Sequence, residues 1–309
     1  MIVYAKRHAR KYPPRQKEFL GDVIDDPLRP VVGRRPETAG RSAEVNARIN
    51  GINLAYSDQG RGMPLVFLHA FPFNRTMWEP QLTALSSRFR VVTVDLRGHG
   101  ESDAPLWRYT LDLFADDVSG LLDHLSIQQA VLIGLSMGGY LIFSFYRRYA
   151  DRVKGLVLAD TRAEPDSPEQ TAWRIRLAQR VYQEGAGAVA AEMLPKLLAP
   201  TSYQTNPALV QKVRAIMVDS QISGIVGDLM AISERSDAVP LLSTITCPTL
   251  VLVGEMDALT TPAENKRIAD GISGARFQII PSAGHLSNLE QPEMFSEAVR
   301  SFLETIVKN

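Results

Sequence analysis

Three widely separated residues are of the types that turn a hydroxyl into a nucleophile: Ser136, Asp257 and His285. Ser136 sits in Gly134-Leu135-Ser136-Met137-Gly138-Gly139, after the apolar run Val131-Leu132-Ile133. A strand that stops at glycine, a serine, and glycines opening a helix are the strand–turn–helix setting in which G-x-S-x-G presents a reactive serine. Such a turn is sharp and leaves little room for side chains two positions either side. Gly134 and Gly138 supply that room. The following helix would point its positive end at the serine, where negative charge gathers during acyl transfer.

A serine hydroxyl is a poor nucleophile at neutral pH and needs a base within hydrogen-bond reach. The chain has five histidines. His8 lies near the N-terminus, His69 ends a strand, His99 sits in a structural turn, and His124 falls late on a helix as a half-exposed residue. His285, in Pro281-Ser282-Ala283-Gly284-His285-Leu286, follows the last predicted strand on the same sheet edge as Ser136, and is the best candidate base. The imidazole needs an acid to fix its tautomer and stabilise the imidazolium. Asp257 follows the strand before the histidine and is favoured. Asp160, which ends an earlier strand, is its rival, and Glu255 is read as shaping the turn. A tetrahedral oxyanion would need backbone N–H donors. Met137, directly after the serine, is one candidate, and Phe71, in the loop after Pro64–Leu68, is the other.

These residues need a scaffold that brings strand ends together. Val45–Tyr56 reads as two short strands around the Asn50-Gly51 turn signal. Continuous apolar runs at 64–68, 91–95, 130–135, 155–159, 249–253 and 276–280 read as buried parallel strands. Helices are expected over 77–86, 111–125, 140–149 and 292–307. Strands alternating with helices predict an α/β fold with a doubly wound, mostly parallel sheet. Residues 168–236 break the alternation, being strongly helical and cut by Pro195, Pro200 and Pro207. An insertion between sheet strands is expected to cap the C-terminal sheet edge, where ligands bind in open α/β sheets. The expected division is an extension over 1–42, an α/β core over 43–162 and 237–309, and a helical cap over 163–236.

Composition bounds the rest. Basic and acidic residues balance at 34 each, so nothing global points to nucleic acid or an anionic membrane. Cys247 is the only cysteine, which rules out an internal disulfide and a cysteine-rich metal site and is compatible with a cytoplasmic, reducing compartment. No apolar run approaches the roughly 18–20 residues needed to span a bilayer. The extension is basic and proline-rich, with Lys6, Arg7, Arg10, Lys11, Arg15 and Lys17, but interleaved with acids. It lacks an apolar signal-peptide core and reads as a partly disordered or surface-wrapping arm. The histidines are scattered, so no metal or organic cofactor is implied. Homo-oligomerisation is left open.

The order Ser136, Asp257, His285, the G-L-S-M-G-G elbow and the H-A-F-P loop resemble the α/β-hydrolase superfamily over roughly residues 44–309. The segments D-L-R-G-H-G-x-S-D, P-T-L-V-L-V-G-E-M-D and A-G-H-L-S-N-L-E-Q-P-E carry the same resemblance. It implies Ser136 as nucleophile, Asp257 as acid, His285 as base, and Phe71 and Met137 as oxyanion donors. Ala70 departs from the pattern, which usually has glycine there. Within the superfamily the chain looks like the small capped esterases, enol-lactonases and cofactor-free haloperoxidase-like perhydrolases. That likeness implies a carboxylic-ester hydrolase acting on small or medium acyl esters or lactones. Transfer of the acyl group to alcohol or peroxide is an alternative on the same residues. A proline-iminopeptidase-like peptidase is a second, for which Glu164, Asp166, Glu169, Glu184 and Glu192 would supply acids, although surface solvation is the favoured reading of these. A non-catalytic binding protein is a remote third.

Overall fold

The computed structural model describes residues 45–106 and 108–307. The N-terminal extension read from the sequence lies outside these residues. Eight strands form one sheet: β1 (Val45–Ile49), β2 (Ile52–Gln59), β3 (Pro64–Leu68), β4 (Arg90–Val94), β5 (Ala130–Leu135), β6 (Val153–Ala159), β7 (Thr249–Gly254) and β8 (Arg276–Ile280). Their spatial order is β1-β2-β4-β3-β5-β6-β7-β8. β2 is antiparallel to both β1 and β4, and every other pairing is parallel. The β1–β2 hairpin turns on Asn50 (φ 45°) and Gly51 (φ 83°), the positive-φ pair that a two-residue hairpin turn demands.

The helices are α1 (Glu79–Leu85), α2 (Leu111–His124), α3 (Met137–Tyr149), α4 (Pro168–Glu184), α5 (Gly187–Leu197), α6 (Ser202–Thr205), α7 (Pro207–Val218), α8 (Ile222–Ser233), α9 (Val239–Leu242), α10 (Pro262–Gly271), α11 (Ser287–Glu290) and α12 (Pro292–Val307). Layers on both faces explain why the central strands are apolar without alternation: every residue of β5 and β7 is buried. The edge strand β8, covered less completely, keeps exposed positions. α3 packs against β5 and α2, while α12 packs against α1. The stretch expected to be helical holds α4 to α8 and no strand, and α4 lies against both α8 and α5. No single helix among the described residues is long and apolar enough to cross a membrane.

Several local expectations need correction. Pro195 lies inside α5 near its end and does not divide it, since a proline in the last turn leaves most of the helix's hydrogen bonds intact. The helix after β5 starts at Met137 rather than Tyr140. His124, the last residue of α2, is exposed rather than half-exposed. The helix α10 was not anticipated at all.

Candidate active site

β3 has β4 on one side and β5 on the other, so strand order reverses beside it. The crevice beyond the carboxyl ends of β3 and β5 is therefore the topological switch point, where ligands of open α/β sheets bind. The sequence delivers Phe71 to this crevice from the loop after β3 and Ser136 from the end of β5.

Ser136 caps α3 with φ 55° and ψ −111°, a sparsely populated conformation for a residue with a side chain. The two glycines around it explain how the chain reaches that turn. A Cβ at position 134 would lie 2.4 Å from the Gly138 carbonyl carbon, and one at 138 would lie 2.2 Å from the Leu68 carbonyl oxygen. Both contacts are with backbone and cannot relax cheaply, so only glycine fits.

His285 and Asp257 meet this serine from the loops after β8 and β7. The Ser136 hydroxyl is 2.8 Å from His285 Nε2. On the other side of the ring, Nδ1 lies 2.9 Å from Asp257 Oδ2. A carboxylate can only accept there, so Nδ1 carries the proton and Nε2 is left to accept from the serine. Asp257 and His285 are buried, while Ser136 is partly open to the cavity above it. Asp257 Oδ1 accepts the N–H groups of Leu259 (2.8 Å) and Thr260 (3.0 Å). Oδ2 accepts the Thr260 hydroxyl at 2.6 Å. Burial by itself would push this carboxyl up, but the charge of His285 and the bonds from His285 and Thr260 hold it below the ordinary aspartate value.

Asp160 is also buried, yet it is turned to a different task. It accepts the Gly254 N–H at 2.7 Å and the Ser287 hydroxyl, tying β6 to β7 and to α11. Burial first, and then the nearby charge of Asp257, push its carboxyl well above the usual range. Glu255 accepts the Ser282 N–H at 3.0 Å, a turn-shaping contact on the surface.

Phe71 lines the cavity above Ser136, and Met137 is the first residue of α3. Neither N–H meets a backbone acceptor among the described residues. Ala70 is fully buried; its N–H is 3.3 Å from Met77 Sδ, and its carbonyl accepts from Phe73 N–H at 2.8 Å. His69 braces this loop from below. Its Nε2 accepts the Leu96 N–H at 3.0 Å, which leaves Nδ1 as the donor to the Ala70 carbonyl at 3.0 Å. Burial, and then the nearby His99, keep His69 well below its ordinary value and hence neutral.

Two further residues were not singled out from the sequence. Thr260 locks Asp257, and its signal was the aspartate three positions before it, an arrangement that favours side-chain-to-backbone turns. Glu290 accepts Gly284 N–H at 2.6 Å beside His285. It also accepts Ala199 N–H at 2.8 Å and Ser202 Oγ–H at 2.5 Å. It thus holds the histidine loop to the α5–α6 junction.

The cavity has a volume of about 490 Å³. Its floor includes Ser136 and His285, and α4 and α5 contribute Trp173, Arg174, Met193 and Lys196. The acids considered for a free-amine pocket are not in this lining. Glu164 pairs with Arg267, Asp166 with Arg174 and Arg235, Glu184 with Arg180, and Glu192 with Arg180 and Lys196. Glu169 accepts the Ser167 hydroxyl at 2.8 Å.

Comparison with known proteins places the fold. Residues 63–292 match the family described by the alpha/beta hydrolase fold. The chain belongs to this family and is a hydrolase of that class. A thermophilic esterase from Thermogutta terrifontis, solved with malate bound, is 41% identical, with 86% of this chain and 99% of the esterase covered and a TM-score of 0.83. An enol-lactonase from Burkholderia xenovorans LB400 is 34% identical, with 84% and 100% covered and a TM-score of 0.79. The 3-oxoadipate enol-lactonase 2 of Acinetobacter baylyi is 30% identical over 260 residues, 84% of this chain and 96% of the lactonase.

Proposed function

We propose that the chain is a serine carboxylic-ester hydrolase acting on small or medium acyl esters or lactones. One observation carries this reading: a continuous hydrogen-bonded line from Ser136 Oγ through His285 to Asp257 at the floor of a cavity. Ester- and lactone-cleaving relatives of similar length support it.

In this mechanism His285 Nε2 takes the hydroxyl proton as Ser136 Oγ adds to the substrate carbonyl. Asp257, kept ionised by its surroundings, stabilises the imidazolium that forms. The oxyanion accepts hydrogen bonds from the Met137 and Phe71 N–H groups, in the field of the α3 N-terminus. The tetrahedral species then expels the alkoxide, which leaves as alcohol with the proton from His285. Water adds to the acyl-enzyme with His285 as base, and collapse frees the acid and Ser136. A lactone follows the same steps, its alcohol and acid remaining on one molecule. Residues 43–162 and 237–309 serve as the catalytic core, and 163–236 as a cap that shapes the acyl site. Alcohol or peroxide in place of water would divert the same acyl-enzyme to transfer.

The test is turnover of p-nitrophenyl acetate and butyrate by the parent and by Ser136→Ala. A fall in kcat on the order of 10⁴-fold or more is expected in the variant. A parent that binds these esters without turning them over would instead identify a binding protein.

A further inference from the structure

The charges around the cavity point to what it accepts, granted the ester-hydrolase reading. Its lining carries three cations, Arg162, Arg174 and Lys196, against a single carboxylate, Glu264. That carboxylate is committed elsewhere. Glu264 Oε2 accepts the Thr261 N–H at 2.7 Å and its hydroxyl at 2.9 Å, and Oε1 is 3.6 Å from Arg162. Arg162 and Glu264 therefore offset one another, which leaves Arg174 and Lys196 facing the cavity.

Both cations sit against Trp173. The Arg174 guanidinium carbon lies 5.6 Å and Lys196 Nζ 5.9 Å from the indole ring centre. Trp173 Nε1 donates to Glu192 at 3.2 Å, which fixes the ring beside the two charges. Behind Arg174 lies Asp166, whose side chain is buried and shared with a second guanidinium, Arg235 at 2.6 Å. One carboxylate between two guanidinium groups leaves this trio with a net positive charge. Arg174 spends Nε and Nη2 on Asp166, and its Nη1 has no acceptor among the described residues. Lys196 is exposed and has one carboxylate, Glu192, at 3.4 Å, which also serves Arg180. Arg180 is further paired with Glu184 at 3.4 Å. The lysine keeps donors for another acceptor, since an ammonium has three.

A cavity whose free donors are the Arg174 guanidinium edge, the Lys196 ammonium and the Nε of Arg162, unpartnered among the described residues, and whose one carboxylate is already paired, is built for an anion on its substrate. We propose that the preferred substrate is an ester or lactone bearing a carboxylate remote from the scissile bond, and that Arg174 and Lys196 hold that carboxylate across the face of Trp173. The partnered Arg235, with its guanidinium 4.4 Å from the Tyr140 ring, keeps Asp166 from cancelling the Arg174 charge. The carboxylate takes no part in bond making; it fixes the acyl chain over Ser136, so its loss falls mainly on KM.

Two substrates of equal acyl length separate charge from size: mono-(4-nitrophenyl) glutarate and 4-nitrophenyl pentanoate. The parent is expected to favour the glutarate monoester in kcat/KM. In Lys196→Met the ratio of the two should fall about tenfold through KM, and Lys196→Arg should restore it. Raising the salt from 20 to 500 mM should shrink the ratio in the parent, because a part-exposed charge is screened. Glutarate binding to Ser136→Ala, measured by calorimetry against pentanoate, reads the same pair without turnover. An unchanged ratio in Lys196→Met, or equal binding of glutarate and pentanoate, overturns the anion assignment whatever the esterase rate. Absence of turnover on both esters, with Lys196-dependent glutarate binding retained, would overturn the ester-hydrolase reading and keep the anion site.

Discussion

Asp160 and Asp257 are two buried acids close enough for their charges to interact, and their surroundings drive them apart. Asp257 is held below its ordinary value and faces His285, while Asp160 is raised well above and faces Gly254 and Ser287. Two nearby carboxylates cannot both ionise at low cost, so the one with the charge partner does so. Asp257→Asn is expected to lower kcat on p-nitrophenyl butyrate by on the order of 10⁴-fold, because an amide there disfavours the Nδ1-protonated tautomer. Asp160→Asn should stay within about tenfold of the parent, since an amide supplies an acceptor for Gly254 N–H and a donor for Ser287 Oγ. The two variants also differ in pH behaviour. A carboxyl raised on folding contributes stability at low pH that is lost as pH rises through its folded value. Asp160→Asn should therefore flatten the fall in stability on the alkaline side of the ordinary aspartate range. Asp257, depressed on folding, contributes stability that is present above the ordinary aspartate value and lost as pH falls through the folded one. Asp257→Asn should soften the acid limb. Urea midpoints across pH check both signs, and kinetics with the opposite ranking of the two variants would exchange their roles.

At the scale of elements, α8 is seated unusually close to the loop after β4. A Cβ at Gly224 would fall 1.9 Å from the Gly98 carbonyl oxygen, and one at Gly227 would fall 2.3 Å from a Tyr109 ring carbon. Glycine inside a helix costs about 1 kcal/mol relative to alanine, so alanine there ordinarily stabilises. Gly224→Ala should do the reverse, by about 1–3 kcal/mol of overpacking, lowering Tm by several degrees. Gly187→Ala, in open space at the start of α5, should be neutral or stabilising; a differential thermal melt of both variants tests the contrast. The sheet itself was readable because its strands are uninterrupted apolar runs, and the bounds of β5, β8 and α12 agree with the sequence reading. The helix α10 was missed because its buried face is only Asn265, Ile268 and Ala269 amid charges, a weak period. Its start was nevertheless written in Thr261-Pro262-Ala263-Glu264, a capping box with proline at the first position. The candidate trio could be read because each member follows a recognisable strand. The Arg174–Asp166–Arg235 group could not, since it joins a loop, a helix and a later turn with no fixed spacing, and only the packing of α4 on α8 brings it together.

Over the whole molecule, the question is what makes the sheet and the α4–α8 segment one cooperative body. Beyond the glycine contacts and the Glu290 bonds, one buried tie is His99, from the loop after β4, whose Nε2 lies 2.6 Å from Asp228 Oδ2 on α8, with both residues fully buried. Burial pushes Asp228 up, and the His99 charge and hydrogen bond oppose this. The neighbouring His69 ring, 5.0 Å from His99, is kept neutral. His99 Nδ1 and Asp228 Oδ1 have no partner among the described residues, so each group depends on the other. Removing one member leaves the other's buried polar atoms without a partner, at a cost of about 1–3 kcal/mol. Against a total stability of about 5–15 kcal/mol this is a large share, and it falls on the joint between the two layers. Asp228→Ala is therefore expected to lower the urea midpoint and to split the transition. If the segment caps the acyl site as proposed, turnover of p-nitrophenyl butyrate should be lost at lower urea than the far-ultraviolet helix signal. In the parent the two curves should coincide. Asp228→Asn, which keeps a carbonyl for the imidazole N–H, should split them less. Coincident curves in Asp228→Ala would mean that the apolar packing of the segment alone carries the coupling.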